Sequence, residues 1–394
     1  GDGFILVGQS DGTVGGDQSN PSKGLLDVWI LKIDKQGNKI WDRRYGGSGN
    51  DLGRGIIQTP DGYMLTANTS SPADGDVSEP SRDDLSGLQY DLWVLLLDKD
   101  GHLVREKRYG GNGFDYVNIS IISIIEINKY QINLTTDSSL SGDITTSTFG
   151  GTDYLVLTID NELNLITQHR YGGAGNELAN KTLPQNGVTY ISGSSWSGIS
   201  GNKITTAGAP ISEDIWIIQL DASNNKIGEK NIRANKENEL RVSDGWNNGY
   251  RFFGLSSSDA GYDKTEGCRG DYDYWLVLTD AQMNPIWDKT LGGQGRDWAQ
   301  AAVMLPDNSI VIAGRSYSPP SGDKQAPLIG DEDYWVIKLR PENPMAIGLP
   351  IQAAQAGRKV RVKWTLPPYA AGTCIIEREL GEMPRGHFTQ IGEL

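Results

Sequence analysis

The chain consists of short apolar runs separated by polar turns. The first four runs are Phe4 to Gly8, Val28 to Ile33, Lys39 to Tyr45 and Arg54 to Thr59. The second run is apolar at nearly every position, which indicates a strand that is buried on both faces. No apolar period of 3.6 residues accompanies these runs. The pattern therefore predicts an all-β protein and excludes a helical solenoid.

A phrase that opens with Asp recurs six times at intervals of 59 to 64 residues, and five of its copies contain a Trp. A second phrase follows at fixed phase: Tyr or Leu, then Gly-Gly, then an acidic residue four positions on. The fourth copy departs from it, because Ile232-Arg-Ala-Asn235 replaces Tyr-Gly-Gly, and its acidic residue is read as Glu239. The six copies of the first phrase begin at Asp27, Asp91, Asp153, Asp214, Asp273 and Asp333.

Four strands per period of about 60 residues favour one architecture. Turns such as Thr59-Pro-Asp-Gly62 and Asp34-Lys-Gln-Gly37 suit tight hairpins, so the strands are expected to be antiparallel. Hairpin-joined strands that are covered on both sides are typical of β-propellers, whose blades bury each other's faces. We predict an all-β fold in which residues 1–340 form a β-propeller of six four-stranded blades, with seven blades as the alternative.

The number of strands leaves the predicted ring incomplete. The repeats supply 22 strand-like runs, whereas six blades of four strands need 24. We expect residues upstream of Gly1 to supply the missing strands beside the last repeat, which would close the ring by shared strands. A seventh blade formed by upstream residues is the alternative.

The pattern changes after Arg340. Pro341, Pro344 and Pro350 mark a Pro-rich linker over residues 341–350. Residues 351–394 then alternate apolar and polar positions, in runs at Lys359 to Trp364, Thr373 to Arg378 and His387 to Gly392. We predict the N-terminal part of an immunoglobulin-like or fibronectin-like β-sandwich here. Because such a domain takes roughly 100 residues, the chain is expected to continue past Leu394.

Composition and charge exclude several classes of protein. The formal net charge of −14 excludes a protein that binds nucleic acid through clustered positive charge. The two Cys, Cys268 and Cys374, form neither a disulfide framework nor a metal-binding or redox pair. No run of about 18 apolar residues is present, so no membrane-spanning segment is predicted.

The repeat phrases resemble those of known secreted proteins. Asp-x-Trp with its apolar run and Lys-Ile-Asp, Trp-Asp-x-x-Tyr-Gly-Gly-Ser-Gly-Asn-Asp, and Asp-Gly-Tyr recur over residues 1–340. These phrases resemble the repeat proteins that are exported by the type IX secretion system. Val362-Lys-Trp364 and Phe388-Thr-Gln-Ile-Gly392 resemble the fibronectin-like segment that such proteins carry ahead of a C-terminal sorting domain. The resemblance implies a secreted or cell-surface location, and it implies no reaction.

Residues for common catalytic machinery are scarce. Only three His are present, and the chain lacks a G-x-S-x-G motif, a Walker loop and an H-E-x-x-H motif. We therefore predict that the chain is not an enzyme and uses no cofactor. The alternative is an accessory propeller of a secreted polysaccharide-degrading enzyme or peptidase, or a propeller with a carboxylate pair in its central funnel. Non-repeated acidic residues clustered at one mouth of the ring would favour the enzyme, whereas an aromatic or apolar patch on one face would favour binding.

Acidic residues recur in register. Asp27 and its copies open the buried strand, and five more lie in the long loop of the repeat. Carboxylates and backbone carbonyls can bind Ca²⁺, but Asp that recurs beside Gly in every repeat more often sets a turn and accepts backbone N–H bonds. We favour the second interpretation and predict no metal site. The loop residues are Asp17, Asp76, Asp143, Asp263 and Asp323.

Tryptophans fall into two groups. The repeated ones are expected to pack between blades. Three others, Trp196, Trp246 and Trp298, have no Trp at the same phase in other repeats, so they are the candidate residues for stacking on sugar rings or on a partner. Local packing is the competing interpretation for these three. The repeated residues are Trp29, Trp93, Trp216, Trp275 and Trp335.

Together these features predict a non-catalytic secreted or cell-surface protein that acts through the loop faces of its propeller. Its expected partners are a surface glycan, or an outer-membrane or secretion-machinery protein, in adhesion or gliding motility. A spacer role within a larger assembly is a further alternative.

Overall fold

The computed structural model of the chain describes residues 3–82, 89–117, 122–126, 128–185, 187–210, 212–246, 249–305 and 309–339, and three strands at 352–356, 359–365 and 373–379. The linker predicted at 341–350 and the run from His387 to Gly392 lie outside the described residues.

The repeats fold into six antiparallel sheets, and each sheet is one blade of a propeller. In a complete blade the four strands, named a to d in chain order, are neighbours in that order within the sheet. Blade 1 contains strands b to d among the described residues. The first three blades comprise β1 (Gly3–Ser10), β2 (Asp27–Asp34) and β3 (Lys39–Tyr45); β4 (Asp51–Gln58), β5 (Gly62–Thr69), β6 (Asp91–Asp98) and β7 (Leu103–Tyr109); and β8 (Asp115–Tyr116), β9 (Ile122–Glu126), β10 (Lys129–Thr136), β11 (Asp153–Asp160) and β12 (Leu165–Tyr171).

Blades 4 to 6 repeat this arrangement, and blade 6 contains strands a to c among the described residues. Their strands are β13 (Glu177–Gln185), β14 (Val188–Ser195), β15 (Asp214–Leu220) and β16 (Lys226–Ile232); β17 (Asn238–Trp246), β18 (Gly249–Ser256), β19 (Asp273–Thr279) and β20 (Pro285–Leu291); and β21 (Asp297–Met304), β22 (Ile310–Ser316) and β23 (Asp333–Leu339).

The propeller predicted from the repeat is confirmed, with six blades among the described residues. If β8 and β9, which both pair with β10, are taken as two parts of one strand a, the strands fill the 22 predicted positions. Strands a of neighbouring blades contact each other, as β13 does with β17 and β17 with β21. Strand a therefore lies nearest the axis of the ring and strand d lies at its rim.

The apolar core is divided among the junctions between blades. Five separate clusters of buried side chains fill the five junctions from blade 1 to blade 6. The repeated Trp93, Trp216, Trp275 and Trp335 are buried, as the sequence predicts. Trp29 is only half-buried, because it lies on the face of blade 1 that is turned away from blade 2. Strand c carries side chains into both neighbouring junctions, which explains its nearly continuous apolar run.

Each of the first three blades holds a buried Arg at its centre. Arg108 on strand d of blade 2 is fully buried, and its guanidinium lies 3.4 Å from Asp91 Oδ2. It also donates to Thr69 Oγ1 at 3.2 Å and to the carbonyl oxygen of Ser71. Arg44 and Arg170 hold the equivalent positions in blades 1 and 3, at 3.0 Å from Asp27 and Asp153 respectively.

Blades 4 to 6 bury a Lys from the loop between strands b and c instead. Lys203 Nζ in blade 4 donates to Ser195 Oγ at 2.7 Å and to the Ser197 carbonyl at 2.8 Å, the counterparts of the two Arg108 acceptors in blade 2. The strand-d position of Arg108 is Asn231 in blade 4 and Thr290 in blade 5. The loop position of Lys203 is Val77 in blade 2 and Ile144 in blade 3. The buried cation is thus kept, while the segment that supplies it changes. The loop residues are Lys203, Lys264 and Lys324.

Three further strands lie in the predicted C-terminal region. β24 (Gln352–Ala356), β25 (Lys359–Thr365) and β26 (Thr373–Glu379) form an antiparallel sheet in that order. Two of the three predicted runs are therefore strands. The immunoglobulin-like or fibronectin-like assignment of residues 351–394 stays a prediction.

Candidate functional site

The candidate Trp residues lie at different ends of the ring. Strand a runs from the upper end, which carries the Gly-Gly loops and the long b–c loops, to the lower end, which carries the hairpin turns. Trp196 follows strand b of blade 4 and Trp298 is the second residue of strand a in blade 6, so both lie at the upper end. Trp246 is the last residue of strand a in blade 5 and pairs with Gly249 across the lower hairpin. The three residues therefore do not form one site.

Trp298 is the centre of an aromatic and charged cluster at the upper end of blades 5 and 6. Arg315 is its direct cross-strand partner, with the guanidinium carbon 4.6 Å from the ring centroid. Arg296 lies 5.6 Å from the same ring and 5.7 Å from the ring of Tyr272. Tyr317, the first residue after strand b of blade 6, is exposed. We call Tyr272, Arg296, Trp298, Arg315 and Tyr317 the Trp298 cluster.

Carboxylates partner the basic and phenolic groups of the Trp298 cluster. Arg296 donates to Asp271 at 2.8 Å, and Arg315 donates to Glu332 at 3.2 Å. The Tyr317 hydroxyl also donates to Glu332. Charge neutralisation within the cluster leaves aromatic rings beside fixed polar groups, which is the surface chemistry of a site for a polar, uncharged ligand.

A group of acidic residues adjoins the Trp298 cluster at blades 4 and 5. The Tyr272 hydroxyl donates to Glu237, and a cavity of about 420 Å³ beside them is lined by Lys236 and Asp271. Glu213, just before strand c of blade 4, is buried, and burial together with the charges of Glu239 and Glu237 raises its pKa to about 8. Burial also raises the pKa of Glu239, whose carboxylate is 2.9 Å from Arg241. Glu213 therefore keeps its proton at neutral pH.

The position predicted from the sequence for one member of this acidic group, Glu239, is wrong. Glu239 was read as the repeat-four copy of the acidic residue that follows Gly-Gly, but Asn238 holds that position. Asn238 Oδ1 accepts the Ser256 and Ser258 hydroxyls, as Asp115 accepts the hydroxyls of blade 3. Glu239 is therefore the second residue of strand a, equivalent to Trp298 in blade 6. The spacing contained the signal, since Asn238 follows Ile232 at the distance at which Asp51 follows Tyr45.

The repeated carboxylates serve the Gly-Gly loops. Asp51 Oδ2 accepts the Gly47 N–H at 2.8 Å, and the loop residue Asp76 accepts the Gly46 N–H at 3.0 Å. Asp263 and Asp323 make the same bond to the equivalent residues of their blades. These Asp side chains thus accept the backbone N–H bonds expected of a repeated turn residue. Among the described residues no three His, Cys, Asp or Glu side chains converge in the manner of a metal site.

The stability of the protein should fall as the pH rises from about 4 to about 8. Burial raises the pKa of Asp115, Asp153 and Asp273 to about 6, and Glu213 adds a pKa of about 8. The folded chain therefore holds protons that the unfolded chain releases above its carboxyl pKa of about 4, so the free energy of unfolding declines through this range. We expect it to be at least about 2 kcal/mol larger at pH 5 than at pH 8.

Urea unfolding at a series of pH values measures this decline. Glu213→Gln should flatten the curve between pH 6 and pH 8, whereas the exposed Glu162→Gln should leave it unchanged. A free energy of unfolding that rises from pH 5 to pH 8 would show that these carboxyls are not titrating as described.

Comparison with known proteins finds solved structures that are similar to this chain only at low sequence identity. No protein-family model matches the chain, and no curated protein matches it. Quinohemoprotein alcohol dehydrogenase from Comamonas testosteroni aligns at 10% identity and a TM-score of 0.42, over 94% of this chain and 67% of that chain. Synechocystis apocarotenoid oxygenase (Glu150Asp mutant) aligns at 10% identity and a TM-score of 0.41, over 96% and 84%. Drosophila Semaphorin 1b, extracellular domains 1–2, aligns at 7% identity and a TM-score of 0.40, over 92% and 84%.

These comparisons correct one prediction. The chain was expected not to be an enzyme because it lacks familiar motifs, yet solved structures similar to it include an alcohol dehydrogenase and an oxygenase. The prediction that the chain is not an enzyme is therefore withdrawn. At these identities and TM-scores the likeness carries no argument about which activity the chain has. Within the described part of the chain, no helix is long and apolar enough to cross a membrane.

Proposed function

We propose that this chain is a secreted or cell-surface protein that binds a glycan at the upper face of blades 5 and 6. The observation that carries the proposal is the Trp298 cluster, in which aromatic rings lie beside guanidinium groups that carboxylates neutralise. A smaller cluster of two rings and one guanidinium, formed by Tyr90, Tyr116 and Arg54, lies at the equivalent place in blades 2 and 3.

The chemistry of the Trp298 cluster suits a sugar. Sugar rings have apolar C–H faces that pack on aromatic side chains and hydroxyls that bond to charged side chains. Arg296 and Arg315 stack beside Trp298, which orients their guanidinium groups. Each guanidinium has five N–H donors, and its carboxylate partner engages only part of them. The remaining donors, Glu237, Asp271 and Glu332 are the expected partners of sugar hydroxyls.

Export by a type IX-like route is part of this proposal. It is supported by the six repeat phrases and by the resemblance of residues 359–392 to a fibronectin-like segment ahead of a sorting domain. An outer-membrane or secretion-machinery protein is the competing partner for the same face.

Polysaccharide hydrolysis is a second candidate function, favoured by one observation. Burial, together with the charges of Glu239 and Glu237, raises the pKa of Glu213 to about 8. Glycoside hydrolysis uses a carboxyl that acts as an acid beside a second carboxyl group, and Glu213 with Glu239 and Glu237 provides such neighbouring groups. In this function the chain would cut the glycan that the Trp298 cluster holds.

One experiment tests both functions. The intact chain is applied to a glycan array, and affinities for the glycans retained are measured by calorimetry. Trp298→Leu and Arg315→Ala should each weaken binding about tenfold, which corresponds to about 1.4 kcal/mol. Leu already stands at the position of Trp298 in blades 2 and 4, as Leu52 and Leu178, so the first variant keeps a side chain that the fold accepts.

Arg105→Ala is the matched control, because Arg105 also forms a surface ion pair, with Glu162, but away from the Trp298 cluster. It should leave binding unchanged. Release of reducing ends from a bound glycan, lost in Glu213→Gln, would support hydrolysis. If no glycan is retained, or if Trp298→Leu and Arg315→Ala both bind like the wild type, the glycan proposal is wrong.

A further inference from the structure

The two ends of the row of blades present uncovered apolar faces. Tyr334 on strand c of blade 6 is 92% exposed, whereas its counterparts Tyr154 and Tyr274 are fully buried against the next blade. Phe4 on strand b of blade 1 is 62% exposed, whereas its counterpart Tyr63 is buried. We call the space between these faces the seam.

The side chains at the seam match those of a closed junction. Tyr154 packs on Trp216 with 5.0 Å between ring centroids, and its hydroxyl occupies the space beside Gly193. Tyr274 packs on Trp335 at the same distance, beside Gly314. In both cases the Gly and the Trp are direct cross-strand partners.

Blade 1 carries the same pair of residues. Gly8 and Trp29 are direct partners on strands b and c, and no atom lies within 4 Å of where a Cβ on Gly8 would be. Blade 1 therefore has the receiving surface for a Tyr, and blade 6 presents Tyr334. Blades 6 and 1 therefore carry complementary faces of a closed junction.

Two strand edges are also open at the seam. Among the described residues β1 pairs only with β2, and β23 pairs only with β22. The vacant positions are strand d of blade 6 and strand a of blade 1. At the five closed junctions these two positions are filled by one continuous segment, in which strand d leads through the second phrase of the repeat into strand a of the next blade.

The buried Lys324 indicates which kind of segment fits the seam. Lys324 in blade 6 is buried, and its Nζ donates to the carbonyl oxygens of Ser318 at 2.6 Å and Ala326 at 3.2 Å. In blades 4 and 5, which also bury a loop Lys, the strand-d position opposite is Asn231 or Thr290. An Arg at this position would place a second cation beside Lys324 in a buried site, at a high cost.

We infer that the seam is a docking site for one strand–Gly-Gly–strand segment of this same repeat. Lys324 makes the seam select segments that have a small polar residue at the strand-d position where blades 1 to 3 carry Arg. The segment completes blades 6 and 1 together, by main-chain hydrogen bonds to β23 and β1. Its docking brings Tyr334 onto Trp29 and closes the ring.

A peptide with the sequence of residues 285–305, labelled with a fluorophore, tests the inference on the full 394-residue chain. This peptide is the segment that joins blades 5 and 6 and carries Thr290. Fluorescence anisotropy should show saturable binding with one peptide per chain. A second peptide with Thr290→Arg should bind at least tenfold more weakly.

Variants of the chain separate docking at the seam from adhesion elsewhere. Lys324→Ile, which copies the apolar residue of blade 3, should reverse the preference so that the Arg peptide binds more tightly. Tyr334→Asp changes an exposed residue, so folding is not at risk, and it should weaken the binding of both peptides. Arg105→Ala should change neither affinity.

Three outcomes would overturn the inference. The first is a lack of saturable binding by either peptide. The second is equal affinity of the wild-type chain for the two peptides. The third is a wild-type chain that is dimeric by analytical ultracentrifugation and binds no peptide, since a second copy would then occupy the seam.

Discussion

Arg108→Asn should lower the free energy of unfolding by about 3 to 5 kcal/mol, and adding Val77→Lys to the same chain should restore most of it. Arg108 is the buried cation beside Asp91, so its removal leaves a buried carboxylate without its counter-ion. Val77 holds the loop position from which Lys203 reaches the centre of blade 4. The double variant thus converts blade 2 to the arrangement of blade 4.

The exchange is expected to succeed because the acceptors are already in place. Lys203 contacts Ser195 Oγ, the Ser197 carbonyl and the face of Trp216, whose ring centroid is 5.3 Å from Nζ. Blade 2 offers Thr69, Ser71 and Trp93 at the same three positions. Val77→Lys alone should destabilise the chain, because it adds a second buried cation beside Arg108.

Urea unfolding of the wild type, the two single variants and the double variant gives the coupling energy directly. The reverse exchange in blade 4, Lys203→Ile with Asn231→Arg, is the matched control and should show coupling of the same sign. A double variant no more stable than Arg108→Asn alone would mean that the Lys and the Arg do not share a role.

Gly172→Ala should destabilise the chain by about 3 kcal/mol, whereas Gly198→Ala should change its stability by no more than about 0.5 kcal/mol. A Cβ on Gly172 would overlap the Asp153 carboxylate and lie 2.7 Å from Glu177 Oε2. Neither carboxylate can withdraw freely, since Asp153 is bound to Arg170 at 3.0 Å and Glu177 to the Gly173 N–H at 2.7 Å.

Gly198 is the matched control because it lies in the next loop of the same end of the ring and no atom lies within 4 Å of its built Cβ. Thermal unfolding of both variants measures the difference. Equal melting temperatures would show that the loop yields to the added methyl group and that the first Gly of the Gly-Gly phrase is not required by packing.

The fold follows from the sequence because repetition makes each local signal visible many times. The spacing of Asp27 and its copies sets the blades, and the continuous apolar run of strand c reports burial on two faces. Asp34 and its equivalents accept N–H bonds from the turns that they were expected to set. A signal that recurs six times outweighs the ambiguity of any single copy.

The candidate site was harder to predict because it depends on departures from the repeat. Glu239 was assigned one residue out of register, which exchanged the face of strand a on which it lies. Trp246 falls at the far end of the strand from Trp298, a consequence of strand direction that composition does not report. Tyr317 stands at the position of Trp196, so an aromatic residue does recur there although Trp does not.

The buried cations show why a pattern present in the sequence can still be missed. Asn231 and Thr290 replace Arg in the same blades in which Lys203 and Lys264 replace an apolar loop residue. A Lys beside Asn or Asp in a polar loop is normally exposed, so nothing local indicates that these side chains turn inward. Only the three-dimensional structure brings the loop of a blade to its own strand d.

The division of the blades by their cation limits how the gene for such a protein can rearrange. Blades 1 to 3 carry the positive charge on strand d, and blades 4 to 6 carry it in the preceding loop. Recombination between the two kinds of repeat, with a break between the codon for the loop position and the codon for the strand-d position, produces a blade with both charges or with neither. Either product is expected to be unstable. Rearrangements that survive selection are therefore expected to keep the b–c loop and strand d of one blade together.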